Sequence, residues 1–264
     1  MMKSKLILIA LVAAFVSTSC KKDTKTETPT DPIPTPAPTS TVAPSVAFNF
    51  KALANSQTLT PGTKHYAGVY SDFYTVTKFT YYISNVKLMR TDGFVFAESE
   101  SYHLIKHVEG ATSFTLNDVP EGTYNHIEFL IGVDSLRNVS GAQSGALDVA
   151  NDMFWDWNTG YIFFKLEGSY VSAGMPNDAD YSMHIGGFKG KFSCLQKCSY
   201  DLKSSIVAKK GVQSNVFNNV IIDEIFKNPV TFGFDQYYSS ITESTFKLVS
   251  DNYKDMIVLD HIEN

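Results

Sequence analysis

From Ser45 onward the sequence predicts an all-β domain, an antiparallel β-sandwich-like fold with a few short helices. The dominant hydrophobic period is two rather than 3.6. Short runs of Phe, Tyr, Val, Ile and Thr are broken by Gly, Pro, Asn and Asp, and the chain holds 19 Phe and 14 Tyr. Helical signals are few and short, with almost no βαβ alternation. The 264 residues are 44% hydrophobic and 19% charged, ample for one large core and unlike a disordered chain or a coiled coil.

The first segment lies outside that fold. Lys3 and Lys5 precede the apolar run Leu6 to Val16, which is too short for a permanent span and ends in Ser17, Thr18, Ser19 and Cys20. Residues 1–19 read as a lipoprotein signal peptide, with Cys20 lipidated as the first residue of the mature chain. Residues 20–44 carry that cysteine and a Pro/Thr-rich tether, almost without large apolar side chains, which cannot repay its ordering entropy. The expected location is the cell envelope, periplasmic or outer-surface, with the membrane reached through the lipid anchor. Cleavage removes two lysines and takes the formal charge from -5 to -7. An acidic surface excludes a broad phosphate-neutralising face, so nucleic acid is not an expected partner.

Residues 45–264 form the domain. Strands are expected at Ala47 to Leu53, Phe79 to Leu88, Phe94 to Ala97, Phe114 to Leu116 and Tyr124 to Ile131. Asp92-Gly93 predicts a hairpin, and Pro120-Glu121-Gly122 a second one pairing Phe114–Leu116 with Tyr124. Phe79, Tyr81 and Ile83 share one parity, but Val86 and Leu88 take the other, so a bulge is expected at Ser84-Asn85. Asp148 to Trp157 and Val220 to Phe226, the latter stopped by Asn228-Pro229, could each form a turn or two of helix.

Cys194 and Cys198 are the even pair left once Cys20 is lipidated, and a local disulfide is the expected state of an exported chain. The C-x₃-C spacing without a nearby His does not suit zinc. Asp148, Asp152 and Asp156 recur every four residues without an EF-hand loop and read as a solvated helix face. Asp134, Arg137 and Asn138 suggest a buried polar network, with Asp134 and Arg137 as an ion pair. The nucleophile-elbow, zincin, P-loop and dinucleotide motifs are all missing, so no enzymatic activity is expected.

The segments G-V-D-S-x-R-N (from Gly132), G-A-x-x-G-A-L-D (from Gly141), M-F-W-x-W-N-x-G-Y-I-F-x-K-L-E-G (from Met153) and H-I-G-G (from His184) follow one another in order. With Phe79 to Leu88 and Asn252-Tyr253-Lys254-Asp255-Met256, they resemble the copper-binding MbnP-like family of exported bacterial proteins across nearly the whole domain. The resemblance implies a β-rich domain holding one copper ion through histidines. It also implies a tryptophan oxidised to kynurenine by a dihaem MauG-like partner enzyme. The matching positions are His184 and Trp155 or Trp157. Some copper-binding relatives carry Leu-Asn-His where this chain reads Leu136-Arg137-Asn138-Val139, so one imidazole is absent.

Imidazole suits copper, and an oxidised indole adds an aniline nitrogen. The glycines after His184 leave room for close approach. His103, near the end of the region begun by the Asp92-Gly93 turn, is the candidate second ligand. His126 alternates away from Ile127, Phe129 and Ile131 and should be exposed; His65, His107 and His261 lie near loops or the chain end. Phe154, Trp155, Trp157, Tyr161, Phe163 and Phe164 also suit an aromatic core cluster. Two functions follow: extracytoplasmic copper uptake, storage or delivery, or a non-metal binding or structural lipoprotein on the same fold.

Overall fold

The computed structural model describes residues 42–70, 72–141, 143–156 and 158–264. The expected signal peptide 1–19, Cys20 with the expected tether through residue 41, and Trp157 lie outside the described residues. In chain order the strands are β1 (Ser45–Ala54), β2 (Gln57–Thr58), β3 (His65–Tyr66), β4 (Phe73–Tyr74), β5 (Lys78–Met89), β6 (Val95–Ala97), β7 (Tyr102–Lys106) and β8 (Ser113–Leu116). There follow β9 (Gly122–Ile131), β10 (Phe154–Asp156), β11 (Gly160–Val171), β12 (Ala179–Gly186), β13 (Gln196–Ala208), β14 (Gln213–Ile221) and β15 (Ile257–Glu263). Among the described residues three α-helices accompany them: α1 (Ser135–Asn138), α2 (Phe234–Ser239) and α3 (Glu243–Tyr253).

The strands form two sheets. The smaller runs β15-β14-β1-β2, with β8 also on β1; the larger runs β13-β9-β5-β11-β4-β3, with β6 and β7 on β5 and with β10 and β12 on β11. Pairing is antiparallel except between β1 and β14, which run parallel with Phe48 opposite Val216. Aromatic side chains fill the space between sheets. Phe50 of β1 meets Tyr81 of β5 edge to face at 6.4 Å, and Phe114 of β8 stacks on Phe48. The all-β, sandwich-like fold expected from the sequence is the fold observed.

Strand β5 shows how sequence parity sets this architecture. Ile83 lies opposite Ile131 and Leu88 opposite Ile127. The two β9 residues are four apart and share a face, whereas the two β5 residues are five apart, so one extra residue is absorbed between Ser84 and Lys87. Asn85 takes it up with φ 54°. Both Val86 and Leu88 are thereby returned to the core. The Asp92-Gly93 turn also forms: Gly93 has φ +87°, Phe94 N–H donates to Asp92 Oδ1 at 2.9 Å, and Met89 pairs with Val95.

The second expected hairpin does not form. Strand β8 pairs with β1 while β9 pairs with β5 and β13, so Pro120-Glu121-Gly122 carries the chain from one sheet to the other. Phe114 decides the choice by stacking on Phe48 and Phe50 of β1. The expected helices shrink as well. Among the described residues, Asp148 to Asp156 contains a single 3₁₀ turn at Val149–Asn151 and then β10, and Val220 to Phe226 is the end of β14 followed by a 3₁₀ turn at Ile222–Phe226.

The expected disulfide is also corrected. Cys194 and Cys198 are free and buried. Cys198 lies inside β13, which begins at Gln196, so the chain runs extended where a C-x₃-C bridge needs it to turn back. The Cys194 thiol donates to Phe192 O and the Cys198 thiol to Lys254 O, each at 3.5 Å. Burial pushes their pKa values up to about 11 and about 12. We expect thiol titration of the unreduced mature protein to find both cysteines free after denaturation and unreactive before it; a disulfide-linked peptide would contradict the structure.

His107 is a core residue. It stacks on Phe79 with ring centroids 4.7 Å apart, and its Nε2 lies 3.2 Å from the Tyr81 hydroxyl. Burial pushes its pKa down to about 4. The unfolded ring, near the ordinary value of about 6.5, therefore takes up its proton first as pH falls. The stability contribution is complete above about pH 6.5 and is lost toward pH 4, roughly 3 kcal/mol in all. Urea unfolding of the wild type and of His107→Phe should show the variant losing less stability over that interval; parallel pH profiles would refute it.

Candidate metal site

The site is built on the face of the larger sheet turned away from the smaller one. The chain from Gly132 to Asp156 crosses that face and is held there by polar contacts. Asp134 caps α1, accepting from Leu136 N–H at 3.0 Å and Arg137 N–H at 3.2 Å, and it also accepts from Asn85 Nδ2 at 3.1 Å and from the Tyr102 hydroxyl. Burial opposes its charge, yet these donors together hold its carboxyl below the usual range. Asn138 accepts from Tyr161 N–H at 2.9 Å through Oδ1 and donates to Asp134 O at 3.0 Å. The expected polar network is present, but the ion pair is different: Arg137 pairs with Glu100, because Asp134 is already saturated by neutral donors.

Further along, the hydroxyls of Tyr82 and Tyr161 donate to Ala146 O at 2.9 Å and Leu147 O at 2.7 Å. Lys165 of β11 is only 2% exposed, and its ammonium donates to Asp152 Oδ2 at 2.8 Å and to Asp152 O. Lys78 reaches the same carboxylate at 3.1 Å. Asp148, Asp152 and Asp156 therefore do not form a solvated helix face. Asp148 caps a turn through Ala150 N–H, Asp152 bridges two lysines, and Asp156 accepts from Asn158 and Thr159 N–H.

Fixing Asp152 fixes β10 and with it Trp155. The indole is 37% exposed and stacks on Phe246 of α3, with centroids 6.1 Å apart and planes at 15°. It lies so close to Gly186 that a Cβ there would stand 2.7 Å from the indole and 2.5 Å from Tyr161 O. His184, two residues earlier on β12, lines with Trp155, Ile241 and Phe246 an open cavity of about 440 Å³. A second cavity of about 210 Å³ also has Trp155 and Phe246 as walls, with Gly186, Gly187 and Phe188. His184 Nε2–H donates to Glu167 Oε1 at 2.6 Å. The structure thus brings together His184 and Trp155, two of the positions the resemblance implied, and adds Glu167 and Phe246. Glu167 was visible in the K-L-E-G segment; Phe246 depends on the docking of α3.

His103 does not join them. It pairs with Ile83 across β7 and β5, on the face toward the smaller sheet, and stacks on Phe114 at 3.7 Å. His184 pairs with Lys165, and Lys165 with Thr80, which places it on the opposite face. Strands β5 and β11 stand between the two histidines, a lateral separation of roughly 14 Å at about 4.8 Å per strand. His103 instead bonds Glu98 at 2.7 Å. His126 is not free either: its ring nitrogens bond Asp201 at 2.7 Å and Ser199 at 2.9 Å on β13. His65 is buried beside Tyr74, and His261 stacks on Phe217 near the chain end. Among the described residues no three His, Cys, Asp or Glu side chains cluster closely enough to hold a metal ion.

Fold and site together define a β-sandwich protein whose outer sheet face presents a histidine and a tryptophan to one cavity. A model of the MbnP family matches residues 43–243, and the chain belongs to that family. MbnP from Methylosinus trichosporium is a similar solved structure, with a TM-score of 0.49 and 14% identity over 72% of this chain and 81% of that one. No curated protein matches.

The contact at Gly186 yields a test. Gly186→Ala should displace the indole or the Tyr161 backbone, costing about 1–3 kcal/mol by overpacking, and should shift Trp155 fluorescence relative to a Trp157→Phe background. Unchanged stability and emission would mean that Trp155 does not lie over Gly186.

Proposed function

We propose that the protein is an exported, lipid-anchored copper-binding protein for extracytoplasmic copper uptake, storage or delivery, with Cys20 carrying the anchor. The observation that carries this reading is that His184 and Trp155, the two described residues matching the family motifs for copper, are walls of one solvent-open cavity. The donors there fit copper in part. His184 supplies imidazole nitrogen, its ring held by Glu167 through Nε2–H, whereas intact indole offers no ligand lone pair. Oxidation of Trp155 to kynurenine by a dihaem MauG-like partner would add an aniline nitrogen. The exposure of Trp155 supports such access.

A second reading, a binding or structural lipoprotein without metal, is favoured by the lack of a three-donor cluster among the described residues. Metal analysis separates the two. We expect one copper per chain after expression with the dihaem partner, a Trp155 peptide heavier by one oxygen less one carbon, and loss of tight binding in His184→Ala but not in His126→Ala. No copper uptake with or without the partner would favour the second reading.

A further inference from the structure

The charged residues on the outer face of β11 are shared out unevenly. Glu167 lies opposite Lys78 on β5, and Lys165, two residues away on the same strand and face, lies opposite His184 on β12. Cross-strand pairing alone would give Glu167 a lysine partner. Both lysines instead turn to Asp152: Lys165 at 2.8 Å and Lys78 at 3.1 Å. Those hydrogen bonds, from Lys165 first and then Lys78, hold the Asp152 carboxyl below the usual range. Glu167 is left to His184.

We propose that Glu167 is the positioning residue for metal binding at His184, and that Asp152 keeps it in that role by drawing off Lys78 and Lys165. This rests on the copper reading given above. By accepting from Nε2–H, Glu167 fixes the ring's tautomer and orientation and leaves the lone pair on Nδ1, which has no hydrogen-bond partner among the described residues. Strand β11 is hydrogen-bonded on both sides over Phe164–Glu167, so the carboxylate stands on a rigid support. Without Asp152, the lysines would compete for Glu167 and release the ring.

Nitrogen NMR of the metal-free protein, under conditions where the ring is neutral, reads the tautomer directly. Wild type should show His184 as Nε2–H, and Glu167→Ala and Asp152→Asn should both show a tautomer mixture. Cu(II) titration should give about 10–100-fold weaker binding in Glu167→Ala, with stoichiometry at saturation unchanged. Glu167→Gln, which keeps the side-chain volume and an acceptor, should fall between. It also serves if the alanine variant does not fold. If wild type binds copper and His184→Ala does not, but Glu167→Ala and Glu167→Gln keep wild-type tautomer and affinity, the positioning role is wrong and the copper reading stands. If wild type binds no copper, both fall together.

Discussion

The ammonium of Lys165 is the constraint on which the site depends. It is 2% exposed within a sheet bonded on both sides, and a charge so placed needs a carboxylate and further acceptors to offset its desolvation. Asp152 supplies its side chain and its backbone carbonyl. Asp152 itself is largely exposed, so the Coulombic gain is nearer the surface regime of about 0–1 kcal/mol than the buried one. The larger effect lies in what removing the carboxylate would leave behind, an unpaired buried cation costing about 3–5 kcal/mol. That asymmetry ties the segment after Gly132 to the sheet.

The chain before and after Asp152 follows from this tie. Upstream, Tyr82 and Tyr161 hold the carbonyls of Ala146 and Leu147, and Asn138 joins the turn to the start of β11. Downstream, β10 has only three residues, and two capping bonds to Asp156 close its turn. Trp155 has little freedom between them. Its indole fills the space that Gly186 leaves empty, and Phe246 stacks against it. The glycine after H-I is thus required by a close approach.

Local patterns in the sequence revealed what local chemistry decides. The parity change at Ser84-Asn85, the Asp92-Gly93 turn and the strand runs each depend on neighbouring residues, and each is present. Two local readings failed, the helices expected at Asp148 to Trp157 and Val220 to Phe226, and the pairing failures were non-local. Nothing near Phe114 says that its face will be satisfied on β1 instead of beside β9, and nothing near Phe48 says that β14 will arrive parallel. His103 and His184 both lie on strands, but their faces depend on pairings with Ile83 and Lys165 across two further strands. Helix α3 was missed although its signals are local: Thr242 caps it, and Phe246, Val249 and Tyr253 recur at helical spacing.

The family-matching residues divide by what their polar atoms do. Asp134 and Asn138 spend theirs on the backbone of the crossing segment, Asn252 on Ile225 O and Val230 O, and Tyr253 on Cys194 O. Those contacts leave them no capacity for a ligand and explain them as scaffold. Trp155 and His184 differ, because each turns a surface toward the open cavity while a neighbour fixes its opposite side, Gly186 beneath the indole and Glu167 at the imidazole. A side chain held on one side and open on the other has already lost most of the freedom that binding would otherwise cost it. The same physics that makes most of these motifs structural therefore separates out the two residues that line the open cavity.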